Sequence, residues 1–110
     1  MSVSSVSAWR RRILDALLEL SVLRVHESGT LPMSHVCQRL VERGFGYHLP
    51  GNVYPLIAAL EREGKLVAAP QDPDSPISDT RFGLSESGTA YLEDGLTAWT
   101  QLNQSLGRRP

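Results

Sequence analysis

The sequence has very little cysteine and no long apolar run, and each shortage excludes a class of protein. A single cysteine, Cys37, in 110 residues excludes an internal disulfide. No apolar stretch approaches the roughly 20 residues that span a bilayer. Residues 1–7 form a short polar segment, which does not resemble the signal peptide of a secreted protein. We therefore expect a cytoplasmic protein with no membrane partner.

The sequence also lacks the patterns that catalysis and metal binding need. His35 and Cys37 are two residues apart, a spacing that points them to different sides of a helix. His26 and His48 have no acidic neighbour at ligand spacing. No nucleophile elbow, phosphate-binding loop or paired carboxylate occurs in a suitable context. We predict that the chain is not an enzyme and holds no metal ion or cofactor, and that Cys37 is a small buried apolar residue.

The most informative segment is residues 49–64, which predicts a short helix with an exposed amino-terminal end. Asn52 is placed to cap this helix with its side chain. Pro55 falls in the first turn, where a missing N–H costs nothing, and Gly64 marks the end. Apolar residues recur at three- and four-residue steps and predict one buried stripe: Val53, Leu56, Ile57 and Leu60. A helix with a buried flank and a presented amino end suits insertion into a groove.

The surrounding segments predict the order helix, connection, helix, hairpin. Residues 33–43 carry apolar residues at helical spacing and stop at Gly44. Two short strand-like runs, 65–69 and 80–84, flank a stretch rich in Pro, Asp and Ser. This order is typical of a winged helix-turn-helix. The predicted fold class is α+β, mostly α, with an N-terminal helix, a two-stranded wing and a long C-terminal dimerisation helix.

Two long helices frame this domain. The first, roughly residues 8–27, has a broad apolar face made by Trp9, Ile13, Ala16, Leu17, Leu20 and Leu23. The last, capped by Ser85, has a seam close to coiled-coil spacing made by Leu92, Leu96, Trp99, Leu102 and Leu106. Gly95 inside it costs about 1 kcal/mol relative to Ala and marks a close backbone approach or a local kink. Because little of the domain is left to cover the seam, we expect those five residues to form a two-fold homodimer interface.

The predicted boundaries follow from these elements. They are a disordered N-terminus at 1–7, a winged-helix DNA-binding domain at 8–84, a C-terminal dimerisation helix at 85–106 and a disordered tail at 107–110.

The run Gly51-Asn-Val-Tyr-Pro, followed by Leu60-Glu-Arg-Glu-Gly, resembles the signature of the PadR family of bacterial transcriptional regulators. Three further segments, 31–40, 43–46 and 84–88, fit the same family in order and spacing. The resemblance covers roughly residues 10–105. It implies a dimeric winged-helix DNA-binding protein, usually a repressor and sometimes released by a small aromatic or drug-like ligand. The short C-terminus resembles the smaller subfamily, whose single terminal helix makes the dimer.

Two segments depart from the family pattern. The segment that usually reads His-Gly-Tyr-Glu is Pro32-Met-Ser-His here. Asp79-Thr-Arg-Phe replaces the Arg-Lys-aromatic-aromatic run of the wing, so Arg81 is the cation that remains there. Asp72, Asp74 and Asp79 make the predicted wing acidic. We therefore expect the helix, more than the wing, to contact DNA.

Contacts to double-stranded DNA are predicted at Asn52, Tyr54, Tyr47, His48, Arg43, Lys65, Arg81 and Arg39. The formal net charge of -1 does not exclude them, because phosphate contacts need local cations. The Asn52 side chain either pairs with adenine or only caps its helix. Tyr54 is either a contact or a core residue with its hydroxyl at the surface. The run Arg10-Arg-Arg is either a phosphate contact or a solvated helix face.

The function predicted from these features is a homodimeric regulator, a repressor at an inverted-repeat operator. An aromatic effector would stack on Trp99, with apolar walls from Leu92, Leu96, Trp9 and Ile13; no charged residue marks its polar end. Trp99 as a packed interface residue is the other interpretation. Two alternatives remain open: a winged-helix protein-interaction module, and a small-molecule sensor with little DNA binding.

Overall fold

The computed structural model describes residues 3–45, 51–70, 74 and 80–107. Within these residues, helices and short strands follow one another as α1 Val3–Val25, β1 Leu31–Pro32, α2 Met33–Glu42, α3 Val53–Arg62, β2 Leu66–Ala68, β3 Arg81–Leu84 and α4 Glu86–Leu106. The protein is a mostly helical α+β domain with a small antiparallel sheet. This confirms the predicted fold class.

The helix boundaries agree closely with the prediction except at α1. The helix α4 begins directly after its predicted cap, because the Ser85 side chain accepts a hydrogen bond from the Gly88 N–H. Gly44 and Gly64 follow α2 and α3 with positive φ angles of 96° and 77°, conformations that glycine adopts most cheaply. The helix α1 begins at Val3, so residues 3–7, assigned above to a disordered terminus, belong to it.

The sheet has three strands in the order β1-β3-β2. The pair β2 and β3 is the predicted two-stranded wing, and β1, which was not predicted, adds a third strand next to β3. Leu31 lies opposite Phe82, and Leu66 lies opposite Leu84. Two residues are too few to show the alternating pattern of a strand, which is why the sequence did not reveal β1. Pro32 fits there because an edge strand does not need every backbone N–H.

The helix α1 carries two apolar stripes, of which the sequence revealed mainly one. The stripe that faces the core has a four-residue spacing and consists of Leu14, Leu18 and Val22. The predicted face begins with Trp9 and Ile13, which are 60% and 46% exposed. The core therefore forms on one side of α1 while a second apolar side remains uncovered. The core also takes residues from every other helix and strand, among them Val36, Leu40, Ile57, Leu66, Phe82 and Leu92.

The start of α4 is fixed to the end of α3. The Ser85 hydroxyl donates to the Gly64 carbonyl at 2.5 Å, and the Ser85 N–H donates to the Lys65 carbonyl at 3.1 Å. Gly88 lies directly over this turn, where a Cβ atom would overlap the Lys65 carbonyl oxygen and lie 2.9 Å from its carbonyl carbon. The direction of α3 is thus tied to the direction of α4.

His26 is a buried histidine at the end of α1. Its Nδ1 lies 2.7 Å from the Val22 carbonyl oxygen, which can only accept, so Nδ1 carries the proton. Its Nε2 is buried and has no hydrogen-bond partner in the part of the chain that the structure describes. Burial lowers the pKa of His26 below its usual 6.5, opposed by the hydrogen bond to Val22.

This environment predicts a loss of stability in mild acid. The folded pKa is below 6.5, so the unfolded chain binds the proton first. The contribution of neutral His26 is complete above about pH 6.5 and falls as the pH decreases from there. Urea unfolding should give a lower free energy of unfolding at about pH 5.5 than at about pH 7.5. His26→Asn, which keeps an amide donor near Val22 and cannot titrate, should lose this dependence; an equal slope in both proteins would contradict the assignment.

Candidate nucleic-acid interface and the α1/α4 groove

Asn52 occupies the N-cap position of α3 but does not cap it. Its φ and ψ angles of -93° and -25° are helical, whereas a capping residue is usually extended, and its side chain makes no cap hydrogen bond. The predicted capping bond is therefore wrong. The Asn52 amide is instead exposed at the amino-terminal end of α3, where it is available to a base or a phosphate.

The outward face of α3 adds one cation that the sequence reasoning missed. Val53, Ile57 and Leu60 are buried on the inner face, as predicted. At about 100° per residue, Arg62 lies on the opposite side of the helix and is exposed. The sequence did contain an indication of this position, because the spacing of Arg62 from Val53, Ile57 and Leu60 puts it outside their apolar stripe. A guanidinium there suits a phosphate contact.

Tyr54 is exposed at 39%, and the Cys37 side chain of α2 is near enough to its hydroxyl to change its pKa. The adjacent Cys37 raises the pKa of Tyr54, with a smaller effect of burial, so the hydroxyl keeps its proton. Burial raises the pKa of Cys37, opposed by the hydrogen bond to Tyr54. Cys37 is half-buried and packs on the core. The prediction of a buried apolar residue is therefore only partly correct.

Lys65 does not join the amino-terminal end of α3. It follows the other end of this ten-residue helix, roughly 15 Å away. Its ammonium lies 2.8 Å from Glu63 and 3.8 Å from the ring centroid of Tyr91. The hydrogen bond to Glu63 is the main cause that raises the pKa of Lys65. These contacts make Lys65 a poorer candidate for a DNA contact than its position in the sequence indicated.

The three predicted arginines are exposed but dispersed. Arg39 lies two residues from Cys37, about 200° around α2, and so on the flank away from Tyr54. Arg43 follows the end of α2, and Arg81 lies on β3 opposite Pro32. Tyr47 and His48 lie outside the described residues, as do Asp72 and Asp79 of the predicted wing. Of the predicted contact residues that the structure describes, Asn52 and Tyr54 alone lie together at one end of α3.

The arginines of the Arg10-Arg-Arg run face different surroundings, because successive helical residues point about 100° apart. The Arg10 guanidinium lies over Gly44 at the end of α2, close to where a Cβ would be. A cation is favoured there by the free carbonyls of a helix end. Arg12 lies over the Trp9 ring, 5.3 Å from its centroid, on the other side of α1.

An open groove of about 560 Å³ runs between α1 and α4; we call it the α1/α4 groove. Of the five residues predicted to line a ligand site, Trp9, Ile13 and Trp99 line this groove, and Leu92 and Leu96 do not. Leu92 is 1% exposed and belongs to the core of its own chain, which corrects its assignment to the ligand site and to the dimer interface. Leu96 is half-buried against the same core. Trp99, Leu102 and Leu106 remain exposed along α4.

The groove has charged and polar side chains that the sequence reasoning did not find. Arg12, Glu19 and Asp94 line it, which corrects the expectation that no charge marks a polar end. The Tyr91 hydroxyl donates to Glu19 at 2.7 Å and joins α4 to α1. This bond is the main cause that raises the pKa of Tyr91. Glu19 and Tyr91 were missed because each lies just beside an apolar stripe of its helix.

Gly95 allows α1 and α4 to approach each other. A Cβ at this position would lie 2.8 Å from a terminal methyl of Leu20 on α1. The predicted close backbone approach is therefore replaced by a close approach of a side chain, the terminal methyl of Leu20.

Metal and membrane features are absent from the described residues. Residues 3–45, 51–70, 74 and 80–107 contain no group of three His, Cys, Asp or Glu side chains placed to hold a metal ion. Among the same residues, none of the helices combines the length and the apolar character needed to cross a bilayer.

Comparison with solved structures identifies the fold. A Streptococcus transcriptional regulator superposes with a TM-score of 0.71 at 27% identity, over 86% of this chain and 92% of that one. PadR-like and PadR family regulators from Bacillus cereus and Eggerthella lenta each give a TM-score of 0.67, at 19% and 23% identity. These two alignments cover 88% and 96% of this chain, and 99% and 85% of theirs. The chain has a PadR-like fold.

The PadR-like fold confirms the resemblance stated above for roughly residues 10–105. No protein-family model and no curated protein matches the chain. The three neighbours are described as transcriptional regulators and none of them as an enzyme, in agreement with the prediction for this chain.

Proposed function

We propose that the chain is a DNA-binding transcriptional regulator that acts as a homodimer, with α3 as its recognition helix. The observation that carries the proposal is the amino-terminal end of α3, where Asn52 and Tyr54 are exposed on a helix whose inner face is buried. The PadR-like fold and the names of its neighbours support it. A regulator of this kind acts in the compartment that holds its DNA. We propose that this compartment is the cytoplasm.

The exposed apolar side of α1 and α4 supports a homodimer. It consists of Val6, Trp9, Ile13, Trp99, Leu102 and Leu106, which are 40–85% exposed in the single chain. A contiguous apolar surface of this kind marks an interaction site. We propose that the same surface of a second copy covers it in a two-fold arrangement.

The dimer would set the spacing of the two recognition helices. Because Ser85 and Gly88 fix α4 to the end of α3, a two-fold axis at α4 also relates the two α3 helices. Two such helices read half-sites about one turn of DNA apart, roughly 34 Å. We therefore propose an inverted-repeat operator and, since the bound dimer would occupy promoter DNA, repression as its effect.

Asn52→Ala and Tyr54→Ala should each weaken binding to the DNA upstream of the chain's own gene. The loss should be roughly tenfold, because each removes a specific contact and leaves the buried face of α3 intact. Fluorescence anisotropy titrations at several salt concentrations would measure it. Gln101→Ala, on the exposed side of α4, is the matched control and should bind like the wild type. Unchanged affinity in both α3 variants would remove this helix from the interface.

A small aromatic effector, bound where the two copies leave a cavity within the α1/α4 groove, is a further part of the proposal. Its volume lies within the range of small-molecule sites, and Trp9 and Trp99 provide flat apolar surfaces. Quenching of Trp fluorescence by planar aromatic compounds would report binding. Repeating the titration with Trp9→Phe separates the signals of the two tryptophans. A sensor with little DNA binding would show the quenching and no response to DNA.

A protein-interaction module is the second candidate, favoured by the dispersed cations. Arg39, Arg43 and Arg81 do not converge on the start of α3, and Lys65 is paired with Glu63. The anisotropy titration discriminates the two functions. Binding at submicromolar protein that weakens steeply with salt supports the regulator, and no binding at low salt supports the module.

A further inference from the structure

The Tyr91 side chain connects the α1/α4 groove with the end of α3. Tyr91 is in the second turn of α4, lines the groove and is partly exposed. Its hydroxyl donates at 2.7 Å to Glu19 of α1, which lines the same groove. Its ring centroid lies 3.8 Å from the Lys65 ammonium. One side chain thus contacts both a wall of the groove and the turn that follows α3.

Lys65 belongs to the structure that ends α3. Its N–H donates to the Leu60 carbonyl of α3 at 2.9 Å, and its carbonyl accepts from the Ser85 N–H at 3.1 Å. Its ammonium contacts the Glu63 carboxylate at 2.8 Å and the Tyr91 ring. An ammonium is attracted to the face of an aromatic ring. A displacement of the Tyr91 ring therefore changes the position that Lys65 prefers, and with it the end of α3.

The groove side of this connection is open to an occupant. The hydrogen bond between Tyr91 and Glu19 is exposed, and the wall around it is largely apolar. A flat aromatic molecule in the groove would pack against the Tyr91 ring, because contacts between aromatic rings are favourable. It would also remove water from the Glu19 carboxylate, which is costly. We therefore expect Glu19 to turn toward solvent and to release the Tyr91 hydroxyl.

We propose that Tyr91 couples the α1/α4 groove to DNA binding: an aromatic occupant displaces the Tyr91 side chain from Glu19 and Lys65, the end of α3 moves, and affinity for DNA falls. The proposal rests on the proposed function, since it states how an effector in the groove would reach the recognition helix. An occupant shifts the equilibrium only as far as its affinities for the two arrangements differ. By linkage, bound DNA must weaken the occupant's binding by the same factor.

The probe chosen for the test is 1-anilinonaphthalene-8-sulfonate (ANS). Its naphthalene ring is flat, its sulfonate can pair with Arg12 in the groove, and its negative charge keeps it away from DNA. ANS fluorescence measures its binding, and the anisotropy of the upstream duplex with a red-emitting label measures DNA binding. In the wild type, saturating ANS should weaken DNA affinity roughly tenfold, which is within the usual range for coupled sites. DNA should weaken ANS binding equally, and sedimentation should show an intact dimer. Loss of affinity through dissociation of the dimer would overturn the proposal.

Variants of Tyr91 separate coupling from a merely structural role. Tyr91→Leu removes both contacts, so without ANS it should bind DNA roughly tenfold more weakly than the wild type, and ANS should cause no further loss. Tyr91→Phe keeps the ring beside Lys65 and should retain a response of about threefold. Glu93→Ala, which removes an exposed carboxylate of α4 outside the groove, is the control and should respond like the wild type. A Tyr91→Leu protein that binds ANS and then loses a further tenfold in DNA affinity would overturn the proposal.

A second variant keeps the test valid if Tyr91→Leu does not fold. Glu19→Ala removes the partner of the Tyr91 hydroxyl at an exposed hydrogen bond, so it should leave the thermal midpoint close to that of the wild type. It should reduce the response to ANS to the same extent as Tyr91→Phe. The double variant should show no further reduction, because both changes remove one bond. A full wild-type response in Glu19→Ala would contradict the proposed displacement.

The outcomes distinguish this inference from the function on which it rests. No DNA binding by the wild type at low salt without ANS contradicts the regulator, and the coupling fails with it. Tight DNA binding that ANS does not change leaves the regulator in place and removes the role of Tyr91. A wild type that does not bind ANS contradicts the coupling and leaves DNA binding to be judged on its own titration.

Discussion

Replacing Leu102 with Asp is expected to split the homodimer into single chains and to abolish tight operator binding. Leu102 is 62% exposed in the single chain, so the change costs the isolated fold little. In a two-fold interface it would bury two unpaired carboxylates, each at a cost of several kcal/mol. We expect the dimer dissociation constant to rise by more than about a hundredfold, since each 1.4 kcal/mol is worth a factor of ten.

Sedimentation equilibrium measures this effect directly. The wild type should have twice the 12.1 kDa mass of the chain, and the variant should approach the single mass as it is diluted. Gln101→Asp is the matched control, because it puts the same charge on the neighbouring residue, which faces away from the groove. A Leu102→Asp protein that remains a dimer would show that α4 is not part of the interface.

Gly88→Ala should be the most destabilising single methyl addition in α4. The added Cβ would overlap the Lys65 carbonyl oxygen, which belongs to the backbone and cannot rotate away. The start of α4 would have to move from the α3–β2 turn, with the loss of the Ser85 hydrogen bonds to Gly64 and Lys65. Overpacking of this kind costs about 1–3 kcal/mol, and we expect the upper end of that range. Urea unfolding would measure the change in the free energy of unfolding.

Gly95→Ala provides a matched comparison in the same helix. Its Cβ would meet a terminal methyl of Leu20, which can change rotamer, and alanine improves helix propensity by about 1 kcal/mol. We therefore expect a change close to zero. A Gly88→Ala protein as stable as Gly95→Ala would contradict the close packing of α4 on the end of α3.

Elements whose signals are local could be predicted from the sequence. Ser85 begins α4 because a hydroxyl at that position satisfies a free N–H, and Gly64 ends α3 because the backbone there is left-handed. The buried stripe of α3 follows from its spacing alone. These features depend on a few neighbouring residues, so the chain reveals them without any knowledge of the fold.

Features that depend on distant contacts were not predictable in the same way. Leu92 looks like the first residue of the α4 seam, but α4 begins against the domain, so its first turns are covered by the chain's own core. Asn52 has the right residue type for a cap, and the helical backbone at that position leaves its side chain out of reach. The hydrogen bond of Tyr91 to Glu19 joins two different helices, which no local spacing indicates.

The central claim is that two copies, joined through α1 and α4, hold two α3 helices at the spacing of successive major grooves. Spin labels are placed on α3 by Ala59→Cys in a Cys37→Ser background. Pulsed electron–electron double resonance then measures the distance between the two labels of the dimer. We expect one main label-to-label distance of roughly 35 Å, because half-sites one turn of DNA apart have about this separation and the labels add a small length of their own. The absence of dipolar coupling, or a separation far from this value, would contradict it.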